Sequence, residues 1–182
     1  MQRLFARLAT LALAHRIALG VCWGQVQVTP DVLTVIYGQV VSGDMSAFIE
    51  ADGLALRMSR FTVPNVPVDP VTFRLEAKLP FKPVGLKFVL LARSITPGPI
   101  SQSINLYDWT RNLFDPLTNV TGPLPKTFVQ MECNAQGDVS RYVRPGDNKV
   151  MALVRARPTG PVAVLLWQVE YDLANFQAVS GP

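Results

Sequence analysis

Tyr107 and Trp109 stand two residues apart around Asp108, a spacing that in an extended strand puts both rings on one face and the carboxylate on the other. Exposed rings so placed can stack on sugar faces or anchor a protein partner, so Tyr107 and Trp109 form the candidate ligand or partner surface. The same two rings can instead face the core or brace the turn that follows. Catalytic chemistry finds fewer parts. The single histidine, His15, sits in the leading segment, so a Ser-His-Asp or Cys-His arrangement has no base elsewhere in the chain. Glu50, Glu76, Glu132 and Glu170 occupy ordinary alternating positions rather than an opposed carboxylate pair. No glycine loop of the phosphate-binding kinds is present, and Cys22 and Cys133 form no paired motif. We therefore expect no catalytic residues, no enzyme activity and no cofactor. Calcium is the one open alternative, because Asp52, Asp69, Asp138 and Asp147 fall in turns and hard cations take oxygen ligands. Aspartates in isolated turns more often satisfy their own backbone. Asn119-Val120-Thr121 matches an N-glycosylation acceptor.

The elements that would position these residues are strands. Leu165, Trp167, Val169 and Tyr171 alternate with Gln168, Glu170 and Asp172, the period of a half-buried strand. Trp167 and Tyr171 are predicted core residues, with Asp172 capping a neighbouring strand through a side-chain hydrogen bond. Lys149 to Arg157 and Val162 to Leu173 are predicted to form a β-hairpin closed by Pro158-Thr159-Gly160-Pro161. Val71, Phe73, Leu75, Ala77 and Leu79 alternate with Thr72, Arg74, Glu76 and Lys78, whose mixed signs suit a solvated face with cross-strand pairing better than a basic binding stripe. Further strands are predicted at Leu33 to Val41, Ala47 to Glu50, Leu54 to Phe61, Leu86 to Arg93, Ser101 to Trp109 and Lys126 to Cys133, with a loop over Leu117 to Pro125. The mixed faces of Ser101 to Trp109 place that strand near an edge or a surface groove. The sum is an all-β chain, a two-layer antiparallel β-sandwich with jelly-roll connectivity as one arrangement.

Composition agrees. Fifteen prolines leave little room for long helices, and 49% apolar against 16% charged residues is a balance for a packed core rather than disorder. The net charge of +4 includes Arg3, Arg7 and Arg16 of a leading segment without acids; the rest carries about +1, weak ground for a nucleic-acid partner. Residues 1–24 have the positive start and apolar middle of a secretory signal, interrupted by His15 and Arg16. Leucines at near-helical spacing also fit a retained amphipathic helix or membrane-surface anchor, and an incorrectly assigned start is a third alternative; these alternatives stay open, as does whether Cys22 and Cys133 share the mature chain. The domain expected is 25–177, with 178–182 a frayed tail.

The chain resembles a family of extracellular bacterial β-sandwich modules of uncharacterised role, found in large surface or secreted proteins of planctomycetes and their relatives. The resemblance rests on Tyr37-Gly38-Gln39-Val40-Val41-Ser42-Gly43, Leu54 to Arg57, Val71 to Ala77, Ser101 to Trp109, Ser140-Arg141-Tyr142-Val143, Pro145-Gly146, Ala152 to Arg155, Gly160-Pro161 and Trp167 to Asp172. It implies that Tyr107, Asp108, Trp109, Trp167 and Asp172 are fold signatures, and that the module works outside the cell or on its surface. Leu166 and Phe176 depart from the family's pattern of proline and tryptophan at those places.

These readings favour a non-enzymatic, extracellular structural or self-assembling protein acting through sheet edges, as a homo-oligomer, filament or surface layer. The alternative is a secreted carbohydrate-binding module using Tyr107 and Trp109. No nucleic-acid partner is expected, and a membrane contact only through a retained N-terminal segment.

Overall fold

The computed structural model describes residues 24–61, 71–96, 98–159 and 166–181. Residues 1–23 of the leading segment, Asp69 and the Gly160-Pro161 turn lie outside them. Twelve strands occur among the described residues: β1 (Gln25–Val28), β2 (Val32–Tyr37), β3 (Gln39–Ser42), β4 (Leu56–Phe61), β5 (Val71–Lys78), β6 (Pro83–Ser94), β7 (Ile100–Asp108), β8 (Leu113–Phe114), β9 (Val120–Pro123), β10 (Val129–Asn134), β11 (Lys149–Pro158) and β12 (Leu166–Ser180). They form two antiparallel sheets. The first runs β10-β6-β12-β4-β3, with β1 also on β12; the second runs β2-β5-β11-β7-β8, with β9 also on β7. From β4 to β7, and again from β10 to β12, successive strands alternate between sheets, a two-layer sandwich of jelly-roll type.

That alternation overturns the predicted final hairpin. β11 pairs with β5 and β7 in one layer, whereas β12 pairs with β4, β6 and β1 in the other. The two strands have inward rows apolar enough to serve as the centre of a sheet each, and they meet through side chains across the core. On β12 the inward row changes parity: Trp167, Val169 and Tyr171 are followed by Ala174, Phe176 and Ala178. A bulge between Tyr171 and Leu173 makes the shift. Asp172 occupies it, buried, and accepts the Gly53 N–H at 3.0 and 3.2 Å. Ala178 and Val179, expected in a frayed tail, are ladder residues paired to Leu86 and Gly85.

The expected single strand from Leu33 to Val41 is also two. It breaks at Gly38 (φ +93°), leaving β2 on the edge of one sheet and β3 on the edge of the other. A Cβ at Gly38 would stand 2.9 Å from Val71 Cγ2 and 3.0 Å from the Ser59 carbonyl, so only glycine lets the chain turn this close to β4 and β5. Ala47 to Glu50 is no strand: Met45–Phe48 is a 3-10 turn started by the Asp44 side chain, which accepts the Ser46 N–H. Val120–Pro123, predicted as loop, is β9, paired to β7.

The core lies between the layers. Phe73 of β5 meets Tyr171 of β12 edge to face at 4.8 Å, and Phe88 meets Phe176 at 4.8 Å. Cys133 is a buried core residue whose thiol donates to the Thr118 carbonyl at 3.0 Å; burial pushes its pKa up to about 11, so it stays a thiol.

Gly38→Ala is expected to destabilise by more than the ~1–3 kcal/mol that a strained positive φ costs by itself. Gly53→Ala, at φ +85° with nothing within 4 Å, isolates the backbone cost. Thermal unfolding of the pair should show the larger drop in Tm for Gly38→Ala; equal drops would mean that the close approach at Gly38 relaxes freely.

Candidate functional site

Three central strands of the second sheet turn alternate residues outward. β5 presents Thr72, Arg74, Glu76 and Lys78; β11 presents Lys149, Met151, Leu153, Arg155 and Arg157; β7 presents Ser101, Ser103, Asn105 and Tyr107. A groove of about 540 Å³ lies on this outer face, with walls from Ile36 and Tyr37 on the β2 side and from Phe114, Asn119 and Thr121 on the other. Leu153, 2% exposed, lies in its floor.

The register shows how the groove is built. Tyr37 pairs with Thr72, Thr72 with Arg155, Arg155 with Ser103, and Ser103 with Thr121. These five residues, scattered over the sequence, form one row straight across five strands, about 19 Å at ordinary strand spacing. A ring stands at one end, Tyr37, 47% exposed, and a second ring, Phe114, lines the other side. Between them the lining is hydroxyl, amide and guanidinium, with Leu153 in the floor. Asn119 of the predicted glycosylation acceptor is in the wall, its amide donating to Thr121 Oγ1 at 3.0 Å.

Tyr107 and Trp109 stand at the Phe114 end. Their rings meet edge to face, centroids 4.8 Å apart, and Tyr107 meets Phe114 in the same way at 5.0 Å. They share a face, as their spacing predicts, but at 72° they make a stack rather than one flat platform, and neither lines the groove. The Tyr107 hydroxyl donates to Asn112, and the Arg144 guanidinium lies 5.1 Å from the centre of the Trp109 ring. Trp167, Tyr171 and Asp172 are buried.

A buried ionic knot holds this end in place. Asp108 and Asp115 have fully buried side chains, and Arg141 joins them, its Nε 3.2 Å from Asp108 and its Nη2 on Asp115. Asp108 Oδ1 also accepts the backbone N–H groups of Thr110 at 2.9 Å and Arg111 at 3.0 Å, which fixes the turn after Trp109. Asp115 accepts the Tyr142 hydroxyl at 2.7 Å, and the Trp109 backbone N–H donates to the Arg141 carbonyl at 2.7 Å. Burial would raise the Asp108 carboxyl, but hydrogen bonds from Thr110 and Arg111 and the Arg141 charge outweigh it and hold the pKa below the usual carboxylate range. For Asp115, burial is likewise outweighed by hydrogen bonds from Tyr142, Leu117 and Arg141.

Among the described residues no group of three or more His, Cys, Asp and Glu side chains converges as a metal site. The turn aspartates considered for calcium serve the backbone: Asp52 accepts Leu54 N–H, Asp138 accepts Ser140 N–H, and Asp147 accepts Lys149 N–H and pairs with Arg144. Sequence reasoning missed Tyr37, Phe114, Arg155 and Arg157. The alternation Val154-Arg155-Ala156-Arg157 carries a signal for the last two, since it puts two arginines on one strand face.

No protein-family model matches the chain, and no curated protein matches it. Similar solved structures include the CBM22-1 xylan-binding domain from Paenibacillus barcinonensis Xyn10C, at 7% identity over 87% of this chain and 88% of that one, TM-score 0.45. A CBM4 structure is similar at 12% identity over 81% and 77% of the two chains, TM-score 0.43. A chain of infectious bursal disease virus Gt strain is similar at 13% identity over 83% of this chain and 32% of its own length, TM-score 0.44. At these scores the likenesses carry no argument about what this chain binds or builds.

The lowered pKa values of Asp108 and Asp115 set a direction with pH. Both carboxyls hold their charge more strongly folded than unfolded, where the value is about 3.9, so their contribution is complete above that range and lost as pH falls through the lower folded values. Asp115→Asn should lower Tm at pH 7 and flatten the fall of Tm between about pH 5 and pH 2, read by circular dichroism. A variant with the parent's Tm and acid profile would contradict the knot's role.

Proposed function

We propose that this chain is a non-catalytic, extracellular module that binds a glycan chain lying across the groove of the second sheet. The observation that carries the reading is the straight row Tyr37, Thr72, Arg155, Ser103 and Thr121, bounded by the exposed ring of Tyr37 and the half-buried ring of Phe114. An extended ligand crossing five strands meets a ring on each side, where the apolar faces of sugars can stack, and short polar side chains between, where their hydroxyls find donors and acceptors. Tyr107 and Trp109 take part by backing Phe114 rather than by forming the platform themselves. The signal-like start supports an extracellular setting.

A second reading, self-assembly through sheet edges, is favoured by one observation. β2 and β3 are consecutive edge strands that expose Val32, Val35, Ile36, Val40 and Val41. Sedimentation across a concentration series separates the two: a monomer at all concentrations removes self-assembly, and reversible oligomers lost in Val40→Lys would support it.

Binding to a panel of soluble polysaccharides, read by affinity electrophoresis, tests the first reading. Tyr37→Ala and Phe114→Ala should each weaken the bound glycan about tenfold, near the ~1.4 kcal/mol that corresponds to one good ring contact. Trp109→Ala should weaken it less, because it acts through Tyr107. Parent-like retention of Tyr37→Ala and Phe114→Ala would remove the groove as the site.

A further inference from the structure

We infer that the groove is built for an acidic polysaccharide, whose carboxylate or sulfate groups pair with Arg155 and Arg157. This inference rests on the glycan reading and names its ligand class.

The two outer faces of the sandwich treat charge differently. On the first sheet, Glu170 sits between Arg57 and Arg93 in register and pairs with both at 2.6 Å. On the second sheet, the outward rows of β5, β11 and β7 carry Arg74, Lys78, Lys149, Arg155 and Arg157 against one carboxylate, Glu76. Glu76 is already taken, 2.9 Å from Arg74 and 2.8 Å from Lys149. It is also four residues along β5 from Thr72, outside the groove lining, which contains no acidic residue among the described residues.

Arg155 and Arg157 are left over. Arg57, Arg74, Arg93, Arg111, Arg141 and Arg144 all meet carboxylates, and Arg60 is engaged as well. Arg155 and Arg157 make no hydrogen bond or ion pair with any described residue, and their cross-strand neighbours Ser103 and Ser101 present no charge to them. Two like charges about 7 Å apart on one strand face repel. The central position of β11 places both arginines along the groove, where the fork of donors on each guanidinium matches a carboxylate or sulfate.

The choice of ligand follows from desolvation. A neutral glycan covering the groove would strip water from two guanidinium groups and give back hydroxyls alone, a net cost for a charge left without a counter-charge. A glycan with repeated anions supplies the counter-charges and relieves the repulsion. A nucleic acid would also bring anions, but two arginines in a row of hydroxyls offer little of the extended phosphate-tracking surface that such binding uses.

The test titrates the full chain by calorimetry with polygalacturonate, dextran sulfate, neutral xylan and a single-stranded oligonucleotide, at low and physiological salt. The parent should bind at least one acidic polysaccharide more than tenfold tighter than xylan, with affinity falling as salt rises. Preference for polygalacturonate identifies a carboxylate ligand, and preference for dextran sulfate a sulfate ester; either supports the inference. Arg155→Gln/Arg157→Gln should abolish the preference while leaving Tm unchanged, and Lys126→Gln, exposed outside the groove, should keep it. Equal binding of xylan and acidic polymers, unchanged in the double variant, overturns the inference and leaves the glycan reading standing. Oligonucleotide binding as tight as that of the acidic glycans overturns it in favour of a nucleic-acid ligand. Binding to none of the polysaccharides overturns both.

Discussion

Tyr171 ties the two layers together, and the outer surfaces depend on that tie. Its ring lies edge-on to Phe73 of the opposite sheet at 4.8 Å, and its hydroxyl, fully buried, donates to Gln102 of β7 at 3.1 Å. Burial pushes the phenol's pKa up, so it remains a neutral donor. A long strand that delivers a ring and a hydrogen bond into the facing sheet fixes how the layers sit, and so which residues of β5, β7 and β11 point outward. Loss of such a ring from a packed core typically costs about 3–5 kcal/mol.

The fold then treats its two outer faces unequally. On the first sheet both arginines of the row Arg57, Glu170 and Arg93 are paired with the carboxylate between them. On the second, a groove runs over Thr72, Ser101, Ser103, Leu153 and two arginines, with rings from β2 and β8 at its sides. The Asp108, Asp115 and Arg141 knot holds the β8 side. Within the groove, Arg155 and Arg157 have no partner among the described residues, on a sheet backed by an apolar core.

Strand identity was legible because period-two alternation is a local property: the inward and outward residues of β5 and the inward residues of β7 stand where their pattern puts them. Which sheet a strand joins was not. The sequence Pro158-Thr159-Gly160-Pro161 suits a hairpin and a crossing between layers equally, and only the pairing of β11 and β12 in different sheets decides against the hairpin. Gly38 shows the same limit, since a glycine inside an apolar run marks a corner only once Val71 and Ser59 stand beside it. For the site, the shared face of Tyr107 and Trp109 was readable from spacing, but their edge-to-face tilt was not. The row from Tyr37 to Thr121 joins residues from five strands through register alone, which no local pattern encodes.

The most direct test of the groove as the ligand site is backbone amide chemical-shift mapping during titration with an oligogalacturonate. The account predicts perturbations that saturate together at Tyr37, Thr72, Ser103, Thr121 and Arg155, fading along each strand away from that row. Perturbations confined to the first sheet or to the β2 and β3 edges, or no saturable change anywhere, would contradict it.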